Sequence, residues 1–211
     1  MLYFSLFPSG KHDSIENGLR EVRHELSVAG EIAEVTELGL DQARHVPTPV
    51  GGALEGIPLF VHARYQREEV LSALGYASLE RRPSSFMAGV VRVDGPHGDI
   101  DAFFVTLKKS EAEYSPTTMY ADYPISPTLF HWESQSTTSA ASPTGQRYIR
   151  GSGEKLLFVR RERNGDFGTA PYVFLGPVDY VTHQGERPIA ITWRLRTPMP
   201  ADLFAESTVA V

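Results

Sequence analysis

The stretch that decides the fold is K-L-L-F-V-R-R-E-R-N-G-D-F-G-T-A-P-Y-V-F-L-G-P-V-D-Y-V-T-H-Q-G-E-R-P-I-A-I-T-W-R-L, residues 155–195. It contains four short runs of apolar, β-branched and aromatic residues, divided by the turn-forming sequences N-G-D-F-G, G-P and Q-G-E-R-P. Short runs with turns at such close intervals are typical of a β-sheet protein. The pattern predicts strands over residues 155–161, 172–175, 178–183 and 189–195.

Further strands are predicted on the N-terminal side of this stretch. Residues 87–93 and 100–107 are apolar or alternating, and D-G-P-H-G-D between them indicates a hairpin. Residues 57–65 form a short strand that leads into a helix ending at Gly75. We therefore expect an α+β fold that is mainly β, with a twisted antiparallel sheet or partly closed barrel, flanking helices and an N-terminal helical segment.

The N-terminal part of the chain has a helical pattern. Asp13 and Glu16 resemble a capping box, and apolar residues at helical spacing predict a helix over about residues 14–26. A second helix should end near Arg44, before a proline- and glycine-containing linker. Residues 1–10 read as a strand or tail that docks on the rest of the chain. The predicted division is residues 1–56 for the helical segment with its linker, and residues 57–211 for the mainly β terminal domain.

Composition limits the class of protein. The chain has 211 residues, of which 41% are hydrophobic, so it can bury a sizeable core. It has no cysteine, which excludes disulfides and thiolate metal sites and is typical of a reducing cytoplasm. The sequence has neither an apolar run of membrane-spanning length nor a secretory signal pattern. We expect a soluble cytoplasmic protein with no membrane partner, no metal and no cofactor.

Charge is distributed unevenly along the chain. The net charge is −6, but residues 1–56 hold four Lys/Arg against nine Asp/Glu, whereas residues 143–196 hold nine Lys/Arg against five. A locally positive face on an acidic protein can contact phosphates, although more weakly than a fully basic domain does. A mixed, solvated surface is the alternative interpretation.

Residues 114–150 are rich in aromatic side chains set among hydroxyls and amides. Within them, residues 126–137 read as a strand in which Phe130 and Trp132 point to one face while His131, Glu133 and Gln135 point to the other. One face can then be buried while the other meets a ligand. A loop-rich sheet edge with core aromatics explains the same residues equally well.

Catalytic motifs are mostly missing from the sequence. It has no P-loop, no G-x-G-x-x-G, no H-E-x-x-H and no G-x-S-x-G. A Mg²⁺-dependent nuclease is a weakly supported third hypothesis, in which Asp99 and Asp101 would act with the E-S-Q sequence at Glu133. We expect the chain not to be an enzyme.

Several long motifs resemble a known but uncharacterised family. They are P-L-F-V-H-A-R-Y (58–65), F-F-V-T-L-K-K-S-E-A-E-Y-S-P-T-T-M-Y-A-D-Y-P-I-S-P-T-L-F-H-W-E-S-Q-S-T-T-S (103–139), T-G-Q-R-Y-I (144–149), L-L-F-V-R (156–160), A-P-Y-V-F-L-G (170–176) and P-I-A-I-T-W-R-L (188–195). Together they resemble the C-terminal domain of many bacterial DEAD/DEAH-type superfamily II helicases, over residues 58–200. Those helicases often carry a phospholipase-D-like nuclease module and resemble restriction or phage-defence systems.

The resemblance implies a role beside a helicase or nuclease protein, although this chain lacks the motor itself. Where the family commonly has H-W-Q-S-Q, this chain has H-W-E-S-Q, with Glu133 in place of glutamine. A metal-binding carboxylate does not exchange freely with an amide, so the difference weakens the nuclease hypothesis, whereas a group contacting a base edge tolerates it better.

The first hypothesis is therefore a noncatalytic DNA-recognition module of a restriction or phage-defence system that reads a modified or flipped base. Aromatic side chains would stack on bases, amides would contact base edges and cations would reach phosphates. The alternative is a protein-interaction or structural module that docks on a helicase, using the acidic helices and the apolar first ten residues. The candidate nucleic-acid-binding residues are Arg64, Tyr65, Lys108, Tyr120, Tyr123, His131, Trp132, Gln135, Arg147, Tyr148 and Arg150.

Overall fold

The computed structural model describes the chain except for residues 8–9, 42–45, 96, 109–121, 152, 166–167 and 209–211. No helix among the described residues combines the length and the apolar character needed to cross a membrane. The helices are α1 (Leu2–Leu6), α2 (Ile15–His24), α3 (Leu26–Asp41), α4 (Arg67–Ala73), α5 (Pro143–Arg150) and α6 (Ala201–Thr208).

The strands outnumber the helices, and the α+β, mainly β prediction is confirmed. They are β1 (Thr48–Pro49), β2 (Phe60–Val61), β3 (Arg64–Tyr65), β4 (Val90–Gly95), β5 (Gly98–Thr106), β6 (Tyr123–Ser126), β7 (Leu129–Glu133), β8 (Glu154–Arg160), β9 (Asn164–Gly165), β10 (Gly168–Thr169), β11 (Tyr172–Gln184) and β12 (Ala190–Leu195).

The main sheet has eight strands and is open. Its order is β4-β5-β8-β11-β12-β7-β6, and β3 pairs with β11 outside this path. The described strands do not close into a barrel, and the sheet is mixed because β5 runs parallel to β8. A parallel pair requires a crossover connection, and the chain between β5 and β8 supplies one that includes the β6–β7 hairpin and α5.

The sheet is buried on both faces at its centre. The central parts of β5 and β8, residues 102–105 and 156–159, are continuous apolar runs, as expected for strands covered on both sides. Phe104 and Phe158 join a first core with α4, while Phe103 and Leu157 join a second core that contains β7, β12 and α5. Val50 also packs into the first core. The division of the chain into two domains at residue 56 stays a prediction.

β11 is one long strand where the sequence predicted two. Gly176 has a φ of +94°, and the register of β11 against β8 shifts between Phe174 and Gly176. Glycine adopts this left-handed conformation without the steric cost that a Cβ would impose, so the strand continues through a bulge. β11 consequently pairs with β8 along its first half and with β12 along its second.

The helical predictions were partly correct. Two N-terminal helices were expected and are present as α2 and α3, but residues 2–6 form α1 in place of the expected strand or tail. α5 was not predicted. Its signals were nevertheless in the sequence: the Ser142 hydroxyl accepts a hydrogen bond from the Gly145 amide, and Pro143 lies in the first turn.

Candidate nucleic-acid interface

A cleft of about 250 Å³ opens at the end of the sheet where β8 terminates. We call it the arginine cleft, after Arg64, Arg160 and Arg161 in its wall. The other residues that line it come from β8, from the β8–β11 connection, from β11 and from α6. They are Val159, Glu162, Asn164, Gly165, Ala170, Pro171, Val173, Leu175, Leu203, Glu206 and Ser207.

Strand pairing brings these cations together from distant parts of the sequence. The parallel register of β5 and β8 continues past both strands, since the Leu107 and Lys108 amides donate to the carbonyls of Arg160 and Arg161, at 3.0 and 2.7 Å. Arg64 on β3 pairs with Val173 on β11. Lys108, Arg161 and Arg64 therefore reach one end of the sheet, and all three are exposed.

Arg160 is held in a fixed orientation within this wall. Its Nε donates to the Thr106 hydroxyl at 3.0 Å and one terminal nitrogen donates to the Ala170 carbonyl at 3.3 Å. The guanidinium also lies 4.3 Å from the centre of the buried Tyr172 ring. None of these three contacts is to a carboxylate, so the guanidinium is oriented while its positive charge is not neutralised by them.

The carboxylate of Glu162, at the cleft, is weakly engaged with Arg161. Arg161 and Glu162 approach only to 4.0 Å, and both side chains are about half exposed. An exposed pair at that distance contributes little to stability, so Arg161 can easily exchange Glu162 for another anion. The cleft can therefore bind an anion through a planar, partly pre-oriented set of guanidinium donors.

The predicted phosphate-contacting residues fall into two groups. Arg64 lines the arginine cleft and Lys108 pairs with Arg161 at the same end of the sheet, whereas Arg147 and Arg150 lie on α5, close to the start of β5. At about 3.3 Å per residue along β5, the two ends are on the order of 20 Å apart. Arg160 and Arg161 were missed, although R-R-E-R directly after an apolar strand is a sequence signal for cations at a strand end.

Arg147 is already committed to a buried carboxylate. Its Nε contacts both oxygens of Asp101, at 3.0 and 3.1 Å, and its Nη2 lies 3.0 Å from the same carboxylate. Burial of the guanidinium is the largest single influence and lowers the pKa of Arg147, but the hydrogen bond and charge of Asp101, with smaller contributions from Tyr148 and Asp94, together outweigh it and the pKa is raised. Two of its three nitrogens thus bind the Asp101 carboxylate and hold α5 against the sheet, so they are not available to the phosphates of a nucleic acid.

Lys155 completes this ion cluster beneath α5. Its ammonium donates to the carbonyls of Gly151 and Gly153, at 3.0 and 2.6 Å. Burial lowers the pKa of Lys155, and the Asp101 carboxylate opposes that change. The cluster of Asp101, Arg147 and Lys155 is a buried, hydrogen-bonded structural unit.

The acids of the nuclease hypothesis are spread over the sheet and are engaged by bases. Asp101 binds Arg147, and Asp99 lies 3.2 Å from Arg92. Glu133 is on β7, separated from β5 by β8, β11 and β12. Within the part of the chain that the structure describes, no three His, Asp or Glu side chains are placed to hold a metal ion.

Tyr123 and His131 form an aromatic pair on the outer side of the sheet. They are cross-strand neighbours on β6 and β7, and their rings stack with centroids 4.7 Å apart at an angle of 20°. Both are only half-buried, and Glu133 lies 3.7 Å from the His131 ring. The pair offers an aromatic surface to a ligand. Gln135 follows β7 and is exposed, while Tyr120 lies outside the described residues.

Trp132 lies on the opposite face from this pair and is buried. Its side chain is 5% exposed and meets Phe103 and Tyr148 edge-on, with centroids 4.9 and 5.5 Å away. Tyr148 is buried in the same core. A base could stack on either ring only if this core opened, so the structure assigns both residues to the fold and not to a surface.

Tyr65 is also a core residue. Its hydroxyl accepts a hydrogen bond from the Phe60 amide at 2.8 Å, and burial is the largest cause that raises its pKa. Of the predicted aromatic residues, only Tyr123 and His131 are described in a position that leaves ring surface accessible.

Burial of the Tyr148 phenol predicts a loss of stability at alkaline pH. Burial and, secondly, the Asp101 carboxylate raise its pKa from 10.0 to about 12. Because the folded-state pKa lies above the unfolded value, the neutral phenol contributes fully to stability below pH 10. The free energy of unfolding then falls by up to about 3 kcal/mol as the pH rises from 10 to about 12. Urea unfolding across this pH window should therefore show a shallower decline in Tyr148→Phe than in the wild type. Tyr180→Phe, at a partly exposed ring, is the control, and parallel curves for wild type and Tyr148→Phe would contradict the assignment.

Comparisons with known proteins identify a sequence family and distantly similar structures. The model of a family described as "Domain of unknown function (DUF3427)" matches residues 59–207. No curated protein matches the chain in sequence. The structure of Arabidopsis thaliana SUVH6 in complex with SAM is similar, with 13% identity and a TM-score of 0.40 over 91% of this chain and 35% of that chain. This chain spans about a third of the SUVH6 chain, and at that score the likeness carries no functional argument.

Proposed function

This chain belongs to the family Domain of unknown function (DUF3427), and we propose that it is a noncatalytic module that recognises DNA. The phosphate backbone would bind in the arginine cleft, and bases would meet the outer side of the sheet at Tyr123, His131 and Gln135. Phosphate contacts position a nucleic acid, whereas contacts to the bases give selectivity. The two surfaces therefore have separate tasks.

The observation that carries the proposal is the fixed orientation of Arg160. A guanidinium held by a hydroxyl, a carbonyl and an aromatic ring loses little conformational freedom when an anion binds. Arg161 and Arg64 flank it with exposed charges in the same cleft. A protein with a net charge of −6 repels polyanions on average, so a local cationic cleft is the place where a phosphate would be accepted.

Arg160→Gln is expected to weaken DNA binding about tenfold, because it removes a charge-assisted contact of about 1.5 kcal/mol. The measurement is fluorescence anisotropy with a labelled duplex and with its single strand, at several salt concentrations. The slope of log affinity against log salt should also fall by about 1. Arg92→Gln is the matched control, since it removes an exposed arginine paired with Asp94 and Asp99 on another part of the surface. Equal losses in both variants would remove the cleft from the proposal.

The aromatic surface is tested in the same titration. Tyr123→Ala should cost about 1–3 kcal/mol if a base stacks on that ring. Tyr180→Ala is its control, because Tyr180 also pairs with a histidine, His183, but on a different strand. Repeating the titration with modified bases tests the finer proposal that a modified or flipped base is read. Identical affinity for every base would restrict the function to backbone binding.

We also propose that the module acts in the cytoplasm beside a DEAD/DEAH-type helicase and a nuclease in restriction or phage defence. The support is the similarity of the motifs in residues 58–200 to the terminal domain of such helicases. Co-elution of the chain with a helicase of that type, and a change in its DNA-stimulated ATPase rate, are the expected results. Separate elution with an unchanged rate would limit the proposal to DNA binding.

A further inference from the structure

Helix α3 carries an apolar surface that the described chain leaves uncovered. Of its residues with a described side chain, none is buried, and its principal neighbour is α2. Val35 is 68% exposed and Leu38 is 55% exposed. A helix of this length is only marginally stable by itself, and packing of its apolar side is what normally stabilises it. A partner that packs on these uncovered side chains would therefore stabilise α3.

Three of the five large exposed apolar residues of α3 form a defined row, while Leu26 and Leu40 lie on another side of the helix. Ala29 and Ile32 are the half-buried positions of α3, which leaves Val28, Val35 and Leu38 beside them on the open side. Their spacing of seven and then three residues places them on one stripe of the helix, as in the seam of a coiled coil. The stripe spans about three turns, or about 15 Å at 1.5 Å per residue. That length suits a second helix laid along it.

The charge of α3 specifies the kind of helix that would bind. Glu31 falls within the stripe and Glu34 beside it, and α3 contains four acidic residues and no lysine or arginine. A second copy of this chain would place like charges along both sides of the seam, which is unfavourable. A partner helix with lysine or arginine flanking its apolar seam would instead form complementary pairs.

We propose that the stripe of Val28, Val35 and Leu38, with its flanking carboxylates, is a docking site for a basic amphipathic helix of a partner protein. The site is independent of the arginine cleft, so it gives the chain a protein contact in addition to the proposed nucleic-acid contact. Loss of DNA binding would not affect it.

The test uses the full chain and two synthetic helical peptides. Both have leucine seams; one carries lysine at the flanking positions and the other carries glutamate. The wild type should bind the lysine peptide at least about tenfold more tightly than the glutamate peptide, a difference of about 1.4 kcal/mol. Isothermal titration calorimetry measures both affinities, and analytical ultracentrifugation reports the oligomeric state of the free chain.

Variants then locate the site. Val35→Glu is expected to weaken binding of the lysine peptide about tenfold or more, and Glu34→Gln should reduce both the affinity and its salt dependence. Met87→Glu is the matched control, since Met87 is an equally exposed apolar side chain away from α3. Unchanged thermal unfolding verifies that each variant is folded. Equal binding of the two peptides, an unaffected Val35→Glu variant, or a dimer of the free chain that Val35→Glu dissociates would each overturn the proposal.

Discussion

Trp132→Ala is expected to lower the free energy of unfolding by about 3–5 kcal/mol. The indole is almost fully buried and packs edge-on against Phe103 and Tyr148. Its removal leaves a large cavity between β7, β5 and α5, where the surrounding strands cannot collapse without losing their pairing. Urea denaturation followed by far-UV circular dichroism measures the change.

Trp132→Phe provides the matched comparison, because it keeps an aromatic ring in the same space and should lose much less stability. The two variants separate a core role from a ligand-stacking role. If Trp132→Ala kept wild-type stability but lost DNA binding, the stacking role predicted from the sequence would be right and the packing role wrong. Loss of stability in Trp132→Ala with little change in Trp132→Phe is the expected pattern.

Asp101→Asn is expected to cost about 3–5 kcal/mol, because it leaves the cations of a buried cluster without their counter-ion. Asp101 is 3% exposed and accepts from two nitrogens of Arg147. Lys155, also buried, interacts favourably with the same carboxylate. The amide keeps the shape of the carboxylate and removes its charge, so the loss reports electrostatics and not packing. Thermal and urea unfolding measure it.

Asp99→Asn is the control for this prediction. Asp99 is on the same strand and contacts Arg92, but both side chains are about half exposed. A solvent-exposed pair of this kind is worth about 0–1 kcal/mol. If the two aspartate variants lost equal stability, the cluster beneath α5 would not be the structural unit that its geometry indicates.

These variants separate the scaffold from the binding surfaces. Asp101 and Trp132 hold α5 and β7 against the centre of the sheet, while Arg160 and Tyr123 are placed where a ligand can reach them. A substitution in the first group should change stability and, through it, every activity. A substitution in the second group should change binding more than stability, because both side chains are only half-buried.

Most of the strands and the two sides of β7 were determined by the sequence alone, whereas the predicted G-P turn is a bulge within β11. Alternation along residues 129–133 placed Phe130 and Trp132 on one face and His131 on the other, and the structure confirms that division. The period of two is a local property of an extended chain, so it can be read from neighbouring residues. What the alternation could not decide is which face is buried, because both faces carry an aromatic ring.

Only the tertiary structure decided which cations act together. Arg64 reaches the arginine cleft because β3 pairs with β11, and Lys108 comes beside Arg161 at the same end of the sheet because β5 and β8 are parallel and in register. Arg147 does not act with these cations, because it is paired with Asp101 on β5. Strand order and register depend on contacts between residues far apart in the chain, which local periodicity does not encode. The physical reason is that propensity and alternation are local, whereas a binding site is assembled by long-range pairing.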